Sequence, residues 1–376
     1  MKAIQHRWSG TEGWSGNPPD GALAPQLVLV FGSRQALEGA GQLGRLREAY
    51  PDAVVFGCST AGEIDTTGGV HDDSIVVTAV RFDHTKILAR NVRPKSMGEC
   101  YDAGRELAAS LPTEGLRHAF VLSDGIHVNG SELARGLSDG LPAGVLATGG
   151  LSADGDRFER TSVVWDAQLA DDTIGIIGFY GTKLRIGCGS LGGWDMFGPE
   201  RVVTRSRDNV LYELDGRSAL ALYKDYLGDK AEGLPATGLL FPLAIRSSWE
   251  GQPIVRTILG TDDAAGTMTF AGDVPEGSIA QLMHASFDRL VDGAAGAARA
   301  SSLTDGEADL AILISCVGRK LALKQRTEEE VDSVREVLGP SPVMTGFYSY
   351  GELSPQTPSV TCELHNQTMT ITTFSE

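Results

Sequence analysis

Three times along this chain an apolar run stops at a short polar turn. A helical stretch follows, and a second apolar run then stops at a glycine-rich phrase. The paired runs are Leu27 to Phe31 with Val54 to Phe56, Ala119 to Leu122 with Val145 to Thr148, and Leu310 to Ile314 with Val343 to Thr345. The first turns are Gly32-Ser33, Ser123-Asp124-Gly125 and Ser315-Cys316-Val317-Gly318. The closing phrases begin at Gly57, Gly149 and Gly346, at similar intervals from Gly32, Gly125 and Gly318. A strand–helix–strand unit makes its two strands parallel and puts both polar turns at their carboxyl ends, the edge where α/β sheets bind ligands. An α/β fold of duplicated βαβ-type units is therefore expected. Any βαβ unit shares this grammar, so the likeness alone does not establish common descent.

Apolar spacing predicts helices over 34–50, 130–139, 218–227, 278–299 and 327–338. The last carries Thr327 as N-cap with Glu330 three residues on, a capping box. Alternating segments at 74–82, 161–166, 173–180, 184–189, 239–246 and 253–259, with two more within 360–374, read as additional, mostly antiparallel strands. Residues 1–25 read as an irregular arm. Asp215-Gly216-Arg217 marks a boundary, giving domains at 26–217 and 218–376.

A net charge of −17 argues against a nucleic-acid or anionic-membrane partner. Five scattered cysteines with no C-x-x-C pair suit reduced thiols and a cytoplasmic setting. The N-terminus lacks the apolar core of a signal peptide, and no apolar run is long enough for membrane insertion. P-loop, GxGxxG, HExxH, EF-hand and CxxCH motifs are absent, which excludes covalent c-type haem but not b-type haem.

The first closing phrase is Gly57-Cys58-Ser59-Thr60-Ala61-Gly62-Glu63-Ile64, and the last is Gly346-Phe347-Tyr348-Ser349-Tyr350-Gly351-Glu352-Leu353. Glycines at a strand end let backbone approach something closely. The hydroxyls of Ser59, Thr60 and Ser349 can hold a small anion or carboxylate. Glu63 and Glu352 can receive an ammonium group or brace the turn. Gly-x-Ser-x-x-Gly is not a nucleophile elbow, and loop rather than helix follows it. Cys58 and Cys316 keep a thiol-dependent enzyme open, although no base lies near Cys58 in sequence and a packed thiol fits as well. Asp124 and His127 share the polar loop after the second unit's first strand. His127 is a candidate metal or haem-iron ligand or an ordinary hydrogen-bonded histidine, with His71, His84 and His284 behind it. Arg34, Arg319 and Lys320 hold matching places in the other units and can meet an anionic ligand group. The binding candidates are therefore Gly57, Cys58, Ser59, Thr60, Gly62, Glu63, Asp124, His127, Tyr348, Ser349, Gly351 and Glu352. Cys362 and His365, three apart in a strand, point to opposite faces and do not make a metal pair.

The run Phe56 to Ile64, the segments Ser123-Asp124-Gly125 and Val128 to Leu133, and the run Gly346 to Pro355 resemble FIST proteins. The resemblance extends over residues 26–374 and covers an N-terminal and a C-terminal FIST domain in that order. His127 stands where many members have Asn. The resemblance implies a two-domain α/β architecture and an intracellular sensor that binds a small molecule such as an amino acid. It supplies no catalytic residues, so an enzyme is not expected. Some members are haem proteins that sense nitric oxide and regulate a histidine kinase. This chain carries no kinase, cyclase or receptor segment, so a separate signalling partner is expected.

Overall fold

A computed structural model describes residues 1–39, 41–249, 252–355 and 361–376. It is a mixed α/β structure in which each of the three repeated units heads its own sheet. Leu27–Gly32 pairs in parallel with Val54–Ser59, Leu116–Ser123 with Leu146–Leu151, and Leu310–Cys316 with Val343–Ser349. On its other side each first strand meets an antiparallel strand: Ser74–Arg81, Ile174–Tyr180 and Met369–Ser375 respectively. These central strands are almost wholly buried, which explains their near-continuous apolar runs.

The first glycine of each closing phrase answers to this pairing. Gly57 lies opposite Val30, Gly149 opposite Val121 and Gly346 opposite Leu313. A Cβ at these positions would stand 1.7, 1.8 and 1.9 Å from the partner's carbonyl oxygen. What approaches these glycines closely is the neighbouring strand. The expectation that their bareness serves a ligand is corrected accordingly.

The three units also exchange strands in a ring. Glu63–Ile64, just after the first unit, pairs with Val343–Ser349 of the third. Gly351–Pro355, just after the third, pairs with Leu146–Leu151 of the second. Val163–Trp165, after the second, pairs with Val54–Ser59 of the first. One backbone hydrogen bond repeats around the ring: Ala61 N–H to Tyr348 O at 2.9 Å, Ala153 N–H to Ser59 O at 2.8 Å, and Tyr350 N–H to Leu151 O at 3.3 Å. Phe31, Phe56, Phe120, Ile314 and Phe347 belong to one apolar core drawn from all three units.

A fourth, fully antiparallel sheet spans residues 195–284 and carries its own core, with Val203, Leu211, Tyr223, Phe270 and Leu282. Asp195–Arg207 and Ile279–His284 pair at its centre, and the helix Ala219–Leu227 packs on it.

Four expectations change. The arm at 1–25 contains the strand Lys2–Ser9, which pairs along the whole of Ser74–Arg81. Its mixed, half-buried residues hide a strand that only the two-residue Gly13–Trp14 flanks on its outer side. The helix expected at 278–299 is the strand Ile279–His284 followed by the helix Phe287–Ser301, capped by Ser286. Neighbouring strands override the helix-favouring Ala, Leu and Met of 280–283. The helix at 34–50 is two, Arg34–Gly39 and Gln42–Ala49. Thr327 opens the helix Thr327–Leu338 but donates its hydroxyl to Lys324 O at 2.6 Å, so no capping box forms. Glu330 instead accepts from buried Arg319, with Nε at 2.9 Å and Nη2 at 2.7 Å. The strands expected within 360–374 are Cys362–His365 and Met369–Ser375, and Val360 lies outside the described residues.

Candidate functional site

The two glycine–glutamate phrases fold alike. In the first, the Thr60 hydroxyl donates to Glu63 Oε1, and Oε2 accepts from Ser74 Oγ at 2.6 Å and Ser74 N–H at 3.3 Å. In the last, the Ser349 hydroxyl donates to Glu352 Oε1 at 2.8 Å, and Oε2 accepts from Thr368 Oγ1 at 2.9 Å and Thr368 N–H at 3.1 Å. Ser74 and Thr368 adjoin or open the antiparallel third strand of their units, so each glutamate ties its turn to that strand. Burial pushes both carboxyls up to about 8, although these hydroxyl and amide donors pull the other way. Both acids are braces.

The other candidates are distributed as follows. Gly57, Cys58, Ser59, Tyr348, Ser349, Gly351 and Glu352 are buried in the strands or phrase turns. Ser59 Oγ accepts from Ser162 N–H at 3.0 Å, and the Tyr348 hydroxyl donates to Glu330 at 2.6 Å. Burial pushes the Cys58 thiol well up, and burial with the nearby Glu352 does the same to Cys316. Neither thiol is an activated nucleophile. Asp124 is a turn brace: Oδ1 accepts from Ile126 N–H at 2.8 Å and His127 N–H at 2.7 Å, and Oδ2 from the Thr161 hydroxyl at 2.9 Å.

His127 is 56% exposed, with Nδ1 3.0 Å from Asp172 and 3.4 Å from Asp124. These three residues cluster, but Asp124 already spends both oxygens on protein donors. The haem-iron expectation for His127 is corrected by its setting, a surface ring beside two carboxylates. Among the described residues no histidine lines any of the three strand-end cavities described next. The residues present do not fit a histidine-held haem.

The three cavities open at the carboxyl ends of the units, one at each. The first, about 510 Å³, includes Ser33, Thr60, Gly62, Glu63, Asp72 and Lys320. The second, about 570 Å³, includes Gly125, Val128, Asn129, Leu151 and, from the fourth sheet, Phe270 and Asp273. The third, about 380 Å³, includes Cys316, Gly318, Asn366 and, from the 195–284 region, Leu234, Leu239 and Thr257. Thus Thr60, Gly62 and Glu63 reach a cavity wall, whereas Ser59, Ser349 and Glu352 line none of the three.

Phe158 and Tyr350 line both the second and third cavities, and Asp156 lines both the first and third. The loop 154–160 is therefore the shared wall. Asp154 holds it by accepting from the N–H groups of Phe158 at 3.0 Å, Glu159 at 3.0 Å and Arg160 at 2.9 Å. Burial opposes ionisation of Asp154, but the Tyr350 hydroxyl and these N–H groups overcome it and hold the carboxyl below its usual value. The Tyr350 hydroxyl donates to Asp154 and accepts from Phe158 N–H at 3.1 Å. The Phe158 ring stacks on Tyr350 at 4.2 Å, from a backbone φ of 54° that non-glycine residues seldom adopt. Phe158 stays 45% exposed at this rim.

Asn366 was missed at the sequence level. It sits in the turn between Cys362–His365 and Met369–Ser375, where an asparagine reads as ordinary turn chemistry. The Gln367 carbonyl beside it accepts from Trp194 Nε1 at 2.9 Å and Arg319 Nη1 at 3.3 Å, which fixes the turn. The Asn366 side chain is 0% exposed, and neither its oxygen nor its nitrogen has a hydrogen-bond partner among the described residues. The buried Thr257 hydroxyl, on the same cavity, also lacks one. Buried polar groups left without partners are rare, and each needs a reason.

Family comparison agrees with the architecture. The FIST N domain family model matches residues 26–217 and the FIST C domain family model matches residues 219–355. The chain is also 25% identical over 227 residues to uncharacterized protein Mb0898c of Mycobacterium bovis, covering 56% of this chain and 56% of that protein. Uncharacterized protein MT0897 of Mycobacterium tuberculosis matches with the same identity and coverage. The match thus spans little more than half the length of these relatives. No helix among the described residues is long and apolar enough to cross a membrane. FIST domains are signal-transduction sensor domains that bind small ligands, and this chain, with its FIST N domain followed by a FIST C domain, belongs to the FIST family.

Proposed function

We propose that this chain is a small-ligand sensor whose ligand occupies the third cavity, among the loop 154–158, the turn at Asn366 and the 195–284 region. The observation that carries this reading is the cavity itself: at the carboxyl end of the third unit, it is walled by Leu234, Leu239, Val317 and Leu321 and rimmed by the stacked Phe158 and Tyr350.

Closure of one sequence half over the other, the motion suggested by two tandem domains, conflicts with the ring of exchanged strands. Any such motion would break sheets. The fourth sheet is held differently. It has its own core and meets the three-sheet body along the cavity walls. We assign the movement to this sheet: a ligand that binds better when the sheet is closed shifts it toward the body. A separate signalling protein would read its outer surface. The haem branch lacks comparable support, since no histidine among the described residues lines this cavity.

The test is native mass spectrometry of the freshly purified protein and of Leu239→Trp, a change that fills the third cavity at a residue lining neither of the other two. Wild type should carry a non-covalent small molecule that the variant lacks. Equal loading of both, or no loading of either, refutes the assignment.

A further inference from the structure

Resting on that reading of the third cavity, we infer that its ligand is an uncharged, largely hydrocarbon molecule of one or two rings, held by apolar contact and not by hydrogen bonds or ion pairs. A free amino acid does not belong to this class.

The surface that a ligand can touch is apolar. Leu234, Leu239 and Leu321 are half-buried, and Phe158, Pro235 and Leu259 are exposed, so all six have surface to offer on this wall. Phe158 and Leu259 are large apolar side chains left open at the same cavity. Single exposed apolar residues mean little, but a set of them along one concave wall marks a ligand site. The Phe158–Tyr350 stack, with rings 4.2 Å apart, adds a flat aromatic surface at the rim.

The polar groups near this wall are spent or out of reach. The Tyr350 hydroxyl donates to Asp154 and accepts from Phe158 N–H at 3.1 Å, which leaves its ring for the cavity. Leu234 N–H donates to Ala231 O at 3.2 Å, Pro235 O accepts from Gly238 N–H at 2.9 Å, and Leu239 O accepts from Gln367 Nε2 at 3.2 Å. Pro235 has no N–H to give. The side-chain polar atoms of Asn366 and the Thr257 hydroxyl lie beneath the wall, closed off from its surface. A hydrogen-bonding group on the ligand would give up water and gain no partner here. Among the described residues no Lys, Arg or His lines the cavity, and Asp156, exposed and shared with the first cavity, is its one carboxylate. A ligand carboxylate or phosphate would find no counter-charge. The first cavity differs in this respect, with Lys320, Lys324 and Arg157 beside Asp72, Asp73 and Asp156. A volume of about 380 Å³ lies at the small end of ligand cavities, the size for a one- or two-ring molecule. The apolar lining stops at Asp156 and at the chain entering the wall, Asp229-Lys230-Ala231-Glu232. It is a recess for one small molecule and not a face for a protein.

Toluene and indole are the probes, with benzoate, benzylammonium and L-phenylalanine as charged counterparts of similar size. Binding to the full chain is measured by saturation-transfer NMR and by calorimetry at several temperatures. The uncharged pair should bind with a negative heat-capacity change, the mark of apolar burial. The charged three should bind at least about tenfold more weakly, because a charge taken into the recess meets no partner. Leu239→Trp, which fills the recess, should abolish binding of both probes. Phe158→Asn removes the rim ring at an exposed position whose positive φ asparagine tolerates, so it should keep the fold and weaken binding about three- to tenfold. The inference is overturned if neither probe binds at millimolar concentration, or if any charged compound binds as tightly as the uncharged pair. It is equally overturned if the heat-capacity change is absent, or if both variants bind the probes like wild type. If a charged molecule co-purifies with wild type and is lost from Leu239→Trp, the hydrocarbon class falls while the sensor reading stands.

Discussion

The two glutamate braces make stability depend on pH in an unusual direction. Burial first of all pushes the carboxyls of Glu63 and Glu352 up to about 8, from 4.5 in an open setting. Between those values the folded chain keeps two protons that the unfolded chain has released. Stability therefore falls as pH rises, by about 1.4 kcal/mol per unit for each group and about 2.7 for both. Two buried histidines act in the opposite sense. Burial holds His118 down to about 3 and His365 to about 4, from 6.5, so the unfolded chain takes up protons that the folded chain refuses as pH drops below 6.5. Below pH 6.5 the slopes oppose each other, and above it the histidine contribution fades within about one pH unit while the carboxyls continue. From pH 6.5 to 8 the carboxyls, half ionised at the upper end, cost about 3 kcal/mol and the histidines return about 1, so the wild-type protein should lose roughly 2–3 kcal/mol, whereas most proteins are near their maximum there. Urea midpoints at half-unit steps, checked for a constant m-value, measure the loss. Glu63→Gln with Glu352→Gln keeps the shape and removes the titration, so its stability should stay level or rise by up to about 1 kcal/mol over that range. A wild-type curve that is flat or rising, or a double variant with the wild-type slope, would falsify the buried neutral acids.

Three further substitutions probe the frame, an exposed helix and the rim. Gly346→Ala puts a Cβ 1.9 Å from Leu313 O between two central strands and should cost about 3 kcal/mol or more in urea unfolding. Gly44→Ala, on an exposed helix face with nothing within 4 Å of the new Cβ, should instead stabilise by about 0.5–1 kcal/mol. Tyr350→Phe removes the hydroxyl that joins Asp154 to Phe158 N–H and should loosen the loop locally by about 1–3 kcal/mol. Amide exchange should quicken at 154–160 while the central strands keep their protection, and unchanged exchange there would contradict the clamp.

The repeated units were legible because buried parallel strands impose continuous apolar runs, and because Gly57, Gly149 and Gly346 each face a carbonyl that admits no side chain. Pairing partners were not legible. Glu63–Ile64 is two residues long, and its partner Val343–Ser349 lies near the other end of the chain. No local periodicity records a contact of that range. The glycine–glutamate phrases drew attention through their chemistry, yet that chemistry is spent internally on Ser74 and Thr368. The cavities border these phrases, which supply Tyr350, and take much of their lining from elsewhere: Phe158 from a loop, Thr257 from between two strands of the fourth sheet and Asn366 from the turn after Cys362–His365. Asn366 is marked by what surrounds it in three dimensions, and nothing in His365-Asn366-Gln367 announces that.

The ring of exchanged strands also sets a timetable for synthesis. As the chain leaves the ribosome, Val54–Ser59 has an open edge until Val163–Trp165 emerges, and Leu146–Leu151 has one until Gly351–Pro355 does. The Glu63–Ile64 strand, made early, waits for Val343–Ser349. Open edges invite pairing with other chains, and long-range pairing is slow. The nascent protein is therefore most exposed to aggregation while its first two-thirds are complete and its last third is unmade. Chaperone dependence and expression yield should be governed by the closing strands of the C-terminal segment more than by the domain that is finished first.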